Sequence, residues 1–448
     1  MAGGSWTAQN KIRPGVYINF KSGATRTVTQ GERGTVAIPK ALSWGPVGKV
    51  MTINAGEDTT SSIGYAITDV GALFLREMFK GTNVTGGPNA VLLYRLPTEG
   101  AAPASAEVVG AGLTVTAIYP GARGNDIAVT IADDVDEPGS FVVSILVDAQ
   151  VVDVQQVTTT ADLKPNGWVT FSGAGPLAAS AGMSLSGGAD GTALPSAYAA
   201  ALEALEPYSF DVLAYDGADS TVRAAMIAFV KRMAEQEGKH TQLVTSGAQG
   251  ADSRYVINTN SGVVLDDGTQ LTANQVVWWL AGAEAGAQYY QSLTYAAYPG
   301  AADVSVRQTN SQIEAAILAG DIVLTQEFSQ VRVETDINTL TTYTQDIGEV
   351  YHKNTTMRVC SSLANDLYRE FSLNYLGKVK NDEAGRGLFQ AAVLGYLKTM
   401  YEREALSERP ASYDVTVERG DSADSIVITV VLQVADAVEK IYLTITVT

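Results

Sequence analysis

Two seams mark places where the period of the apolar residues changes, and that change limits the fold more than any other feature of the chain. The first is the Ala/Pro/Ser stretch Ala101–Ala106, the second the Gly-rich stretch Ser186–Pro195. Between them apolar residues recur at every second position over Leu113–Ile118, Ile127–Ile131, Phe141–Val147 and Val151–Val157, with turn clusters at Tyr119–Asp126 and Asp133–Ser140. A period of two is that of a half-buried strand, so residues 101–190 are expected to form an inserted all-β domain. Beyond the second seam the pattern predicts helices over Ser196–Leu205, Thr221–Glu237, Ala273–Gln288 and Gln312–Leu318. Strands are expected between them at Phe210–Tyr215, Gln242–Thr245 and Arg254–Asn258, which favours an α/β layer. Ala66–Phe79 and Ala90–Leu96 read as a further helix and strand ahead of the insertion. The expected fold class is therefore α+β multidomain, with an α/β middle domain (23–100 plus 191–345) interrupted by the β insertion.

From Met357 the chain turns helical again. Leu363, Leu367 and Phe371 lie on one helical face, and Phe389, Val393, Tyr396 and Met400 repeat the spacing after Gly377 and the Lys380–Gly387 turn. Strands are then expected at Tyr413–Val417, Ser425–Val434 and Ile441–Val447. In the last of these Ile441, Leu443, Ile445 and Val447 face one way and Tyr442, Thr444 and Thr446 the other. Two readings are open. This strand pairs with Ile426–Val434 in its own sheet, or it adds to the sheet of another subunit, where backbone bonds supply affinity and alternate side chains supply register. Arg13–Phe20 is a second short extended segment, with Pro14, Val16, Tyr17, Ile18 and Phe20 as its candidate interface residues. Burying four aliphatic side chains gains about 6–12 kcal/mol, and ordering about seven residues costs about 7–14 kcal/mol. A single exchanged strand is thus near break-even, weak between two copies and cumulative in a lattice.

At 448 residues the chain has room for about two to four domains. A net charge of −18 and the lack of any basic run argue against a nucleic-acid groove, which needs clustered Lys and Arg. One cysteine, Cys360, leaves no intramolecular disulfide to form, in keeping with assembly in a reducing cytoplasm. The opening MAGGSWTAQNKIRPGVY has no secretory h-region, and no stretch approaches the roughly 20 apolar residues of a membrane span. Candidate chemistry is sparse. His240 and His352 fall in no zinc-type spacing, and Cys360 sits in an expected helix with no neighbouring His. Gly187–Gly191 and Gly282–Gly286 lack a phosphate-loop pattern. Asp133, Asp134, Asp136 and Glu137, like Asp266 and Asp267, read as tight turns and not as calcium loops. Trp278 and Trp279 with Tyr289 and Tyr290 are expected in core packing or an interface. No catalytic, metal or cofactor residue is assigned.

Several segments resemble the contractile phage tail sheath family of Gram-positive phages, prophages and phage-tail-like bacteriocins. They are RPGVY (Arg13–Tyr17), GTVAIPKALSWGPVGKV (Gly34–Val50), YPGARGNDI (Tyr119–Ile127) and INTLTTYT (Ile337–Thr344). NDLYREFSLNYLGKVKNDEAGR (Asn365–Arg386) and VLQVADAVEKIYLTITVT (Val431–Thr448) complete the set. The stretch Leu280–Gly300 matches loosely. The resemblance implies an inner polymerising domain built from both chain ends (1–22 plus 346–448), with the β insertion on the outer surface. It also implies arms exchanged between identical subunits, a tail tube inside, and a baseplate and tail terminator as further partners. The implied place is the tail of a virion, assembled in the host bacterial cytoplasm, with no cofactor and no enzyme activity. Another self-assembling virion or surface-layer subunit is the rival reading; an α/β enzyme has only the helix–strand alternation in its favour.

Overall fold

The computed structural model describes residues 2–4, 9–18, 23–24, 33–108 and 111–447. These fall into two compact units. One comprises Met1–Ile38, Phe74–Val91 and Tyr208–Thr448, the other Pro39–Leu73 and Leu92–Pro207.

Of a seven-stranded sheet, the first unit holds β1 (Thr35–Lys40, as far as Ile38), the first two residues of β2 (Ala90–Arg95), β3 (Val212–Tyr215), β4 (Gln242–Ser246), β5 (Val256–Thr259) and β6 (Asp321–Ile322), in the order β6-β5-β4-β3-β1-β2. β1, β3, β4, β5 and β6 pair in parallel. Every residue of β3, β4 and β5 is buried, as expected for parallel strands covered on both faces. Two helices pack on this sheet, α1 (Ser220–Arg232) and α2 (Ala273–Gly286). Asp219 caps the first by accepting from the backbone N–H groups of Thr221 and Val222 at 2.7 and 3.1 Å. Gln275 reaches back to the N–H of Thr272 at 3.0 Å to start the second. Helix α2 is buried on almost every side, and its Ala/Gly run explains how. A Cβ on Gly282 would sit 1.8 Å from the carbonyl oxygen of Met78, so only glycine lets that backbone approach. Trp279 stacks on Tyr298 with centroids 4.0 Å apart and donates to the carbonyl of Gly81 at 2.8 Å; Trp278 donates to Asp216 at 2.7 Å.

The unit ends in two long helices, α3 (Asn354–Asn374) and α4 (Glu383–Glu402), and a hairpin of β7 (Val415–Arg419) and β8 (Ile426–Leu432). Gly377 at φ 74° makes the turn between the helices, and Asp382 caps α4 through the N–H of Gly385 at 2.7 Å. Among the described residues no helix is long and apolar enough to cross a membrane.

The second unit contains the β insertion. A four-stranded sheet runs in the order Gln150–Val157, Phe141–Val147, Ile127–Asp133, Ser180–Ser184. A three-stranded sheet runs Val169–Gly173, Leu113–Ala117, Ser105–Val108. Val115, Val129, Ile131, Val143, Ile145 and Val169 form its core, with Trp44 against Tyr119 and Trp168 at 5.4 and 4.9 Å. Arg123 is buried, holds Asp148 through both terminal nitrogens, donates to the carbonyl of Gly64 and lies 4.3 Å from the Tyr65 ring. The chain enters and leaves the insertion side by side, through bridges between Glu99 and Thr192, Ala102 and Ala189, and Ser105 and Ser186.

Three expectations shift. The helix expected over 66–79 is helical only over Leu73–Phe79 after a 3-10 turn at Val70–Ala72. Asp69 accepts from the N–H of Ala66 at 2.8 Å, and this local turn competes with the helix. The helix over 221–237 closes in a π turn at Met233–Glu237 that ends on Gly238. Residues 441–447 form no strand. The Asp134 and Asp267 clusters are turns, with Asp134 accepting from the N–H groups of Asp136 and Glu137 and Asp267 from that of Thr269.

Replacing Gly282 by Leu should overpack the contact with Met78 and lower stability by about 1–3 kcal/mol or more, read as a shift in the urea midpoint at unchanged slope.

Candidate functional site

The core under the C-terminal hairpin forms where the two predicted helical stripes meet. Leu363, Leu367 and Phe371 of α3 face Phe389, Val393, Tyr396 and Met400 of α4, all of them buried. Phe371, Tyr375 and Phe389 pack ring against ring at 4.8–5.3 Å. The Tyr396 hydroxyl donates to Asp366 at 2.6 Å, and burial with that carboxylate pushes its pKa up. The alternate residues Ile426, Ile428, Val430 and Leu432 of β8, with Val415 and Val417 of β7, close the other side of the core. One edge of β8 pairs with β7; the other pairs with residues 23–24 through Val431 and Leu432.

The structure places the two candidate arms differently. Gly15–Tyr17 pairs in parallel with Ala2–Gly4, and Val16 and Ile18 rest half-buried on the α3–α4 core of their own subunit. Tyr17 is half-buried and donates to the carbonyl of Arg13 at 2.8 Å; Pro14 is exposed. Phe20 lies outside the described residues. At the other end Ile441, Leu443, Ile445 and Val447 are 77–90% exposed. Among the described residues no strand pairing joins them to the subunit's own hairpin. The chain is tied at Val434, bridged to Leu406, at Ala435, whose N–H donates to the carbonyl of Ala405 at 3.0 Å, and then at Glu439. Glu439 accepts from the Thr294 hydroxyl at 2.8 Å and is salt-bridged to Lys353.

A buried ionic cluster went unnoticed in the sequence. Arg358 of α3, fully buried, binds Glu284 of α2 and Asp336, and donates to the carbonyl of Gln291. Asn354 donates to Asp336 at 2.9 Å and to Glu284 at 3.3 Å. Arg33 lies 3.6 Å from Asp211 on the same network. Burial, then the negative charge of Asp336, push the Glu284 pKa up to about 8 against the pull of Arg358. Burial works against Asp336 too, yet Arg358 and its hydrogen bonds hold it below the carboxylate range. The one available signal was an arginine inside an apolar helical run, which burial alone would not tolerate unpaired.

The other candidates are packing groups. His240 is buried and its pKa falls to about 3, Cys360 is buried and its pKa rises to about 12, both through desolvation. Among the described residues no three His, Cys, Asp or Glu side chains are grouped to hold a metal.

Family models match nearly the whole chain. "Phage tail sheath protein central domain" covers residues 191–339, "Phage tail sheath C-terminal domain" 346–448, "Phage tail sheath protein beta-sandwich domain" 98–190, and "Tail sheath protein Gp18 domain III N-terminal region" 33–96. The chain belongs to the phage tail sheath family. It is 35% identical to the "Phage-like element PBSX protein XkdK" of Bacillus subtilis (strain 168) over 99% of each chain. The crystal structure of a sheath tail protein from Desulfitobacterium hafniense superposes with a TM-score of 0.85 at 40% identity, over 96% of this chain and 99% of that one. That of the sheath tail protein from Listeria innocua gives 0.75 at 30%, over 93% and 95%. This is a structural subunit of a contractile tail sheath.

A carboxyl whose folded pKa is raised binds its proton more tightly in the folded state. Stability therefore falls as pH rises from the ordinary Glu range to about 8 and is level above it. The sign for Asp336 is opposite, and its contribution is lost only at acid pH. Glu284→Gln should flatten the fall in melting temperature across that window while leaving the acid limb in place.

Proposed function

We propose that the subunit polymerises helically with identical copies around a tail tube, and that its C-terminal arm makes the joints. The observation that carries this is the arm itself, four alternate aliphatic side chains held in water beyond the last internal tie of a domain whose other apolar stripes are buried. An arm added to the β7–β8 sheet of a neighbouring copy would set Ile441, Leu443, Ile445 and Val447 in line with Ile426, Ile428, Val430 and Leu432, continuing the apolar face over the helices. In this reading residues 1–22 plus 346–448 form the inner polymerising domain, and 23–100 plus 191–345 the middle one. Residues 101–190 lie on the outer surface. The N-terminal segment Pro14–Phe20 serves as the second joint once released from its own core.

The near-balance of each joint suits a polymer that needs the tube as template. The extended sheath is a metastable state with weaker lateral contacts than the contracted one, so a baseplate signal releases contraction without nucleotide. The tube is driven through the target envelope. A terminator closes the far end. Assembly takes place in the host bacterial cytoplasm, and the product is part of the virion tail.

Deletion of Ile441–Thr448 should leave a soluble subunit with the wild-type melting profile that forms no tubes. Negative-stain microscopy of concentrated protein checks this; tubes built by the truncated chain would overturn the reading.

A further inference from the structure

Glu439 is where the subunit stops holding its own chain. Its side chain is 16% exposed, that of Lys353 22%, and every described residue from 440 onward is exposed. Among the described residues it is the last whose side chain is hydrogen-bonded within the subunit. Its two partners stand on the buried cluster. Lys353 immediately precedes Asn354, which donates to Glu284 and Asp336, and the backbone of Lys353 bridges Ile337. The Thr294 hydroxyl that donates to Glu439 also accepts from the N–H of Asp336 at 3.0 Å, and the carboxylate of Asp336 accepts from the N–H of Leu293 at 2.9 Å. Asp436 lies 4.0 Å from Lys353 on the same side. A continuous polar path thus runs from Arg358 in the dry interior to the root of the arm.

We infer that Glu439 is a positioning residue, whose bonds to Lys353 and Thr294 fix the point and direction at which the arm leaves the subunit and so set how readily a neighbouring copy captures it. This rests on the arm reading above. The reason is tether length. Clamped at Glu439, Ile441 lies two residues from a fixed point; freed back to Ala435, it lies six away. Effective concentration falls roughly as the −3/2 power of tether length, about fivefold here, before any loss of direction. At 22% and 16% exposure the pair lies at the rim of the subunit and ties down only the chain beyond Ala435, so the fold itself depends little on it. Its effect therefore belongs to assembly, repeated at every joint of the lattice.

The test uses the full-length chain with Glu439→Gln, Lys353→Met, Thr294→Val and the reversed pair Lys353→Glu/Glu439→Lys. A nitroxide on Lys440→Cys reports arm motion, since the native Cys360 is buried. The expected result for Glu439→Gln and Lys353→Met is an unchanged melting profile, a sharper and more mobile nitroxide spectrum, and a concentration for half-assembly by light scattering raised about fivefold. The reversed pair should restore both readouts in part, because a lysine at 439 offers the Thr294 hydroxyl no acceptor, and Thr294→Val, which leaves the ion pair intact, should give a smaller change in the same direction as the single charge variants. Wild-type mobility and assembly in Glu439→Gln and Lys353→Met would overturn the clamp, as would failure of the reversed pair to restore either. The deletion of Ile441–Thr448 separates the two ideas. If it abolishes assembly while the clamp variants assemble normally, only the clamp fails; if the deletion assembles normally, the arm reading fails.

Discussion

The burial of one guanidinium between two carboxyl groups holds this subunit's larger unit in register. Arg358 is taken wholly out of water, and a charge so placed is tolerated only where partners meet it. Those partners come from far along the chain: Glu284 from the helix on the parallel sheet, Asp336 from the segment that leads out of the sheet region, and Asn354 from the start of the helix that carries Arg358 itself. These four polar groups therefore fix where the first long C-terminal helix begins relative to the sheet. The α3–α4 pair, the hairpin on it and the arm root are placed in consequence. Hydrophobic packing alone would hold the same elements together with less angular definition, because apolar contact is not directional.

Much of this fold was legible from residue period. The insertion's strands over Phe141–Val147 and Ile127–Asp133, the two helical stripes ending on Phe371 and starting at Phe389, and the buried parallel strands all follow from spacing. What spacing missed has local physical causes. The 66–79 segment reads as helical until the Asp69 side chain offers the backbone a turn instead. The short strands Ser105–Val108 and Ser180–Ser184 carry too few large apolar residues to announce themselves, and pairing alone defines them.

The site was only half legible. Alternation marked Ile441, Leu443, Ile445 and Val447, and the structure leaves those side chains in water. The short extended segment Arg13–Phe20 put Val16 and Ile18 beside them as an arm, yet in the subunit these rest on the α3–α4 core. Alternation reports that a strand has one apolar face; it does not report which body that face covers. The ionic cluster and the Lys353–Glu439 pair were beyond sequence reasoning for another reason. Pairs separated by 74 or 86 positions have no local signature, and only the folded chain brings them together.

The bridges at the neck of the β insertion carry a consequence of their own. Glu99 and Thr192 face each other, so the chain returns within one strand spacing of where it left. A module with its doorway closed in this way is a cassette: its contents can be replaced by a larger, smaller or unrelated domain whose termini lie close together, while the residues before and after the neck keep their geometry. Such a subunit can change its inserted module without altering the rest of its fold.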